Sequence, residues 1–291
     1  MRPTTTRQSS TGVGRRDEKT RWRRFAVMTA GLWGSAALVA LGLAAGGPVP
    51  PQASAPSVTP VPSNSPSAGQ PTVGPGAVAG STVETSDGTV VVRPQRPRGD
   101  VVVYFHGAGQ TASTIVDDPE TSGLVDELVA DGYTVAARDA GGNSWGDGPS
   151  VRDYLDLVGD LQRSSPGARI FLVAESMGAV AAAQVAGRAD VAAWVAIYPV
   201  CDLSTISEPG LRAQIRSVHG TDPPARFSPL SWPDVPVATW ASPDDTIVDA
   251  EANGRSCTER VSGVFTSTVG EHGDASNFDG ASVTAFFDAH R

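Results

Sequence analysis

Arg169-Ile170-Phe171-Leu172-Val173-Ala174-Glu175-Ser176-Met177-Gly178-Ala179-Val180-Ala181-Ala182-Ala183 is the stretch whose reading decides the fold. Its first half is a short β-branched and aromatic run, the composition of a buried parallel strand, and the Ala-rich half after Gly178 has high helix propensity. Ser176 therefore falls on a tight turn between strand and helix. Such a turn imposes strained backbone on the serine and needs small residues two positions to either side. In return Oγ stands clear, with a helix N-terminus aimed at it. Ala174 and Gly178 meet the size requirement. Taken alone, small-x-Ser-x-Gly also describes an ordinary helix-start serine, so the rest of the chain has to decide.

Strand and helix patterns alternate on both sides of this turn. Thr89 to Arg93, Asp100 to Phe105, Tyr133 to Ala137, Val191 to Tyr198, Val235 to Trp240 and Val264 to Val269 read as strands. Thr121 to Asp131, with Leu124, Val125, Leu128 and Val129 at helical spacing, Val151 to Arg163, Asp249 to Val261 and Ser282 to His290 read as helices. A Pro-, Ser- and Arg-rich insertion runs from about Leu203 to Pro233. Alternation of this kind predicts an α/β fold: a mostly parallel sheet with helices on both faces, and sites at the carboxyl ends of the strands.

Three strand ends carry the residues that chemistry needs. One strand runs into His106-Gly107-Ala108-Gly109, another into Pro243-Asp244-Asp245-Thr246-Ile247-Val248, and a third into Gly270-Glu271-His272-Gly273-Asp274. With Ser176 the chain order is Ser, Asp, His. From about Thr82 to Arg291 the constellation resembles the α/β-hydrolase superfamily, with alanine at Ala174 where the usual G-x-S-x-G elbow has its first glycine. The resemblance implies an α/β-hydrolase fold with a short insertion instead of a large lid. It makes Ser176 the nucleophile, His272 the base and Asp245 the acid that orients it, with oxyanion donors on the backbone N–H groups of Ala108 and Met177. Asp202 is the rival acid, because some hydrolases take the acid from that strand, and Asp244 would face solvent. His106 would brace the oxyanion loop. His219 in the insertion and His290 near the C-terminus follow no strand. Trp145 and the Gly141 to Gly148 loop either line a substrate pocket or simply cover the domain.

Charge locates the accessory sequence. Residues 1–24 hold eight Arg or Lys against two acidic residues, and no charged residue occurs from Phe25 to Val83. The remainder carries 14 basic and 29 acidic residues, a balance of −15 that repels nucleic acid and excludes it as a partner. The expected organisation is a basic cytoplasmic N-terminus (1–24), an apolar transmembrane signal anchor (25–47), a Pro/Ser/Ala-rich disordered linker (48–80) and the hydrolase domain (81–291). At ~1.5 Å per residue the apolar run spans roughly a bilayer core, and the arginines before it belong inside the cell. A cleaved signal peptide is the competing reading of residues 25–47. Either places the domain outside the cytoplasm, where Cys201 and Cys257 would pair as a disulfide. No His/Cys cluster has metal-ligand spacing and no phosphate or dinucleotide loop is present, so no metal and no cofactor is expected. The substrate class expected is a small-molecule or lipid-like ester. An envelope acyltransferase with the same triad, or a non-catalytic binding module on this fold, are the alternatives.

Overall fold

The computed structural model describes residues 81–221 and 225–291. The expected N-terminal segment, anchor and linker lie outside the described residues. The domain is built on an eight-stranded sheet of order β1-β2-β4-β3-β5-β6-β7-β8. An antiparallel hairpin of β1 (Thr82–Ser86) and β2 (Thr89–Arg93) opens it and pairs antiparallel with β4 (Thr134–Arg138). From β4 onward, through β3 (Val101–Phe105), β5 (Ile170–Glu175), β6 (Ala193–Ile197), β7 (Val237–Ala241) and β8 (Val264–Ser267), every pairing is parallel.

Parallel strands covered on both faces must be apolar throughout, and β3, β6 and β7 are buried at every position. Alternate residues feed opposite layers. Val101, Val103 and Phe105 of β3 join Leu172 and Ala174 of β5 under α3 (Gly148–Ser164) and α4 (Gly178–Ala186), whereas Val102 and Tyr104 join Phe171 and Val173 on the other face. That second face is closed by α2 (Pro119–Ala130) and α7 (Gly280–Asp288), which supply Leu124, Val125, Leu128, Val283 and Phe287. Side-chain caps start the long helices: Asp118 accepts from the Thr121 N–H and Asp147 from the Ser150 N–H, each with proline in the first turn.

Among the described strands and α-helices, three were absent from the expected pattern: β1, the short helix α1 (Thr114–Asp117) and the helix α5 (Pro209–His219) inside the insertion. The helix expected over Asp249 to Val261 is a π-helical turn, Ala250–Arg255, that runs into a short α6 (Ser256–Arg260). Cys201, just past β6, and Cys257, in α6, form a disulfide. Beside it the Asn253 side-chain oxygen accepts from the N–H groups of both Cys201 and Asp202.

The sheet order decides where a site can form. From β3 the chain moves to β4 on one side and then crosses back to β5 on the other, so a crevice opens beyond the carboxyl ends of β3 and β5. The His106 loop and Ser176 sit on those two ends.

Candidate active site

Ser176 has φ of +49°, the left-handed backbone expected of a tight strand-to-helix turn. Its N–H donates to the Ile197 carbonyl and its own carbonyl accepts from the Val200 N–H, which locks the turn against the end of β6. Gly178 is required by contact, since a Cβ there would press into the Phe105 carbonyl oxygen and lie 2.8 Å from that of His106. At Ala174 nothing demands glycine: it is an ordinary strand residue paired with Phe105 and Ala196, and it lacks positive φ.

The turn after β8 brings His272 over this serine. Its Nε2 lies 3.0 Å from Ser176 Oγ, and its Nδ1 lies 2.7 Å from Asp245 Oδ2. Asp245 comes from the loop after β7, and its side chain is 2% exposed against 22% for that of His272. The other carboxylate oxygen of Asp245 accepts from the N–H groups of Ile247 at 2.8 Å and Val248 at 2.9 Å, which fixes the carboxylate plane. The rival acids do other work. The Asp202 carboxylate caps a 3₁₀ turn through the Ser204 N–H and hydroxyl, and Asp244 is exposed.

The loop after β3 is held by side chains that the sequence did not single out. Gln110 Oε1 accepts the Gly107 N–H at 2.6 Å, and Asn143 Oδ1 accepts the Gly109 N–H at 2.6 Å. The Gln110 N–H closes on the Gly107 carbonyl. Among the described residues the N–H groups of Ala108 and Met177 enter no such turn or cap hydrogen bond. His106 is 2% exposed, with Nδ1 2.9 Å from the Gly107 carbonyl and Nε2 3.1 Å from that of Asp139, so it ties the loop to the end of β4. His219 contacts the Trp145 carbonyl, and His290 that of Phe286. Trp145 is buried with Val180 and Ile215, its indole N–H donating to Gln214 of α5. It forms part of the hydrophobic core beneath the insertion.

A family model described as serine aminopeptidase, S33, matches residues 95–262, more than half of the chain. The chain belongs to this family of α/β hydrolases. The matched region of the hydrolase takes in Ser176 and Asp245 and ends before His272. Similar folds include the Pyrococcus furiosus esterase Pf2001, with TM-score 0.53 and 18% identity over 72% of this chain and 88% of that one. Est1E from Butyrivibrio proteoclasticus has TM-score 0.54 and 13% identity, over 73% and 99% of the two chains. The Pyrococcus horikoshii acylaminoacyl peptidase has TM-score 0.54 and 14% identity, over 69% and 38%. No functionally curated protein matches the chain in sequence. Among the described residues no His, Cys, Asp or Glu group could hold a metal ion, and no helix is long and apolar enough to cross a membrane.

Proposed function

We propose that the hydrolase is an extracytoplasmic, membrane-tethered serine esterase that works through an acyl-enzyme. The observation that carries the reading is the continuous chain from Ser176 Oγ through both His272 nitrogens to Asp245. In the first step Ser176 Oγ attacks the ester carbonyl carbon while His272 Nε2 takes its proton, and Asp245 stabilises the imidazolium that forms. The oxyanion accepts from the Ala108 and Met177 N–H groups, an interaction whose loss typically costs ~10²–10³ in turnover per donor. Collapse breaks the carbon–oxygen bond, and the alcohol leaves with the proton from His272. Water then gives His272 a proton and attacks the acyl-enzyme, which releases the carboxylic acid and returns the proton to Ser176.

An ester is the substrate this machinery handles most readily, because an alkoxide leaves more easily than an amide nitrogen, and one of the similar folds, the Pyrococcus furiosus protein, carries the esterase name. A peptidase is the second reading, favoured by the aminopeptidase description of the family. The extracytoplasmic setting is supported by the basic and then apolar N-terminal sequence together with the disulfide. Fluorophosphonate labelling of wild type and Ser176→Ala tests the chemistry: wild type should label and the variant should not, and labelling of both would refute the assignment. Among p-nitrophenyl esters of increasing chain length and aminoacyl anilides, turnover confined to the anilides would replace esterase by peptidase.

A further inference from the structure

The acyl-transfer steps leave Glu175 without a task, although it adjoins Ser176 and is 5% exposed. Its carboxylate collects three donors. Tyr104 Oη lies 2.5 Å from one oxygen, while the Gln110 side-chain amide at 2.7 Å and Tyr198 Oη at 2.8 Å reach the other. Gln110 has no freedom to flip, because its oxygen already accepts the Gly107 N–H. Convergence of three donors on an acceptor-only group is the arrangement that satisfies an ionised carboxylate out of water. Burial pushes the Glu175 carboxyl above its usual range, and the three donors and nearby His272 work against that. Burial also pushes both tyrosine phenols up, so they remain protonated donors.

Two arms of this network reach the site. Gln110 connects Glu175 to Gly107, next to the Ala108 N–H. Tyr198 connects it to His272, with ring centroids 4.3 Å apart. Tyr198 itself has φ of +32°, and its N–H is tied to the Trp240 carbonyl. The groups around Glu175 are Tyr104 on β3, Gln110 after it, Thr121 and the capping Asp118 of α2, Tyr198 after β6 and His272 after β8. Of these only His272 is able to become positive.

We propose that Glu175 is a positioning residue for this hydrolase, an anion beneath the site that holds the oxyanion loop through Gln110 and His272 through Tyr198. Its charge favours the imidazolium that forms as Ser176 loses its proton. The inference rests on the serine-hydrolase reading above.

Glu175→Gln isolates the charge. The amide oxygen keeps Gln110 and Tyr198, and the amide N–H donates to Tyr104 Oη, which turns its own proton to Thr121 Oγ1, 3.4 Å away. The measurement is the rate of fluorophosphonate labelling against pH, with thermal unfolding alongside. We expect labelling to slow ~10-fold, the equivalent of one pH unit of lost charge interaction, with the acid limb moved to lower pH and the unfolding temperature unchanged or raised. A folded variant that labels within about twofold of wild type with the acid limb unmoved overturns the proposal. Tyr198→Phe keeps the ring against His272 and cuts the bond to Glu175. It should slow labelling severalfold, and a wild-type rate would overturn the His272 arm even if Glu175→Gln failed to fold. Failure of the underlying reading shows separately, as a wild type that resists the probe or a Ser176→Ala variant that labels, and then both fall.

Discussion

Asp245→Asn discriminates most sharply among the candidate acids Asp202, Asp244 and Asp245. In the native loop one carboxylate oxygen of Asp245 accepts two backbone N–H groups and the other faces His272 Nδ1. An asparagine has one oxygen to offer. If that oxygen stays with Ile247 and Val248, the amide N–H faces Nδ1 and forces the proton to Nε2, where the ring no longer accepts the proton of Ser176. If the amide flips, the tautomer is rescued but two backbone N–H groups lose their acceptor. At ~1–3 kcal/mol for each unsatisfied buried donor, the flip costs about 2–6 kcal/mol. At ~1.36 kcal/mol per decade of rate this brackets a loss of roughly 10²–10⁴, and the wrong tautomer alone is worth ~10⁴. Ester turnover or fluorophosphonate labelling, read with circular dichroism melts, measures it. Asp244→Asn, on an exposed side chain, and Asp202→Asn, which keeps a good capping residue, should lie within severalfold of wild type. An Asp245→Asn variant close to wild type at equal thermal stability, or an Asp202→Asn variant crippled in its place, would refute the reasoning.

The disulfide closes a sequence separation of 56 residues, for which chain entropy gives about 4 kcal/mol. Urea unfolding of the Cys201→Ala/Cys257→Ala pair should show that loss, and two alkylatable thiols in the denatured wild-type chain would reject the bridge. Cells producing the full chain should hold it in the membrane fraction, and external protease should release a domain starting between Pro48 and Ser81; a soluble form with a new N-terminus near Gly46 or Pro56 would establish signal-peptide cleavage. Because burial raises the Glu175 carboxyl in the folded state, its contribution is fully present below its unfolded pKa and is lost as pH rises through the folded one. The stability of Glu175→Gln relative to wild type should therefore grow with pH, and a gap that narrows as pH rises would contradict the assigned direction.

The centre of the sheet was legible because β3, β5 and β6 are apolar runs bounded by turn residues, and α2 and α3 show their buried stripe at helical spacing. The misses have local causes. β1 reads Thr-Val-Glu-Thr-Ser and lies half exposed at the sheet edge, so no apolar run marks it. Its signal was the turn: Asp87 and Gly88 both have positive φ, the conformation of a two-residue hairpin loop that Asp-Gly favours. α5 was hidden by its polar composition, although its ends are marked. Glu208 caps the Leu211 N–H, Pro209 opens the first turn, and Gly220 ends the helix with φ of +70°.

Ser176, Asp245 and His272 were readable one at a time because each occupies a turn directly after its own strand, and their chain order suggested the pairing. The network around Glu175 was not readable that way. An acidic residue closing a strand whose other positions are all apolar is a signal of a buried charge, but nothing local to it names the partners. Tyr104 and Tyr198 lie 71 and 23 residues from Glu175 in the chain. They meet it because β5 lies between β3 and β6, with Glu175 opposite Ile197. The charge and the strand order depend on each other: with another neighbour for β5, the carboxylate would be buried without its phenol donors. Such a charge costs several kcal/mol unless it takes up a proton. Glu175 is thus evidence for the topology as much as a consequence of it.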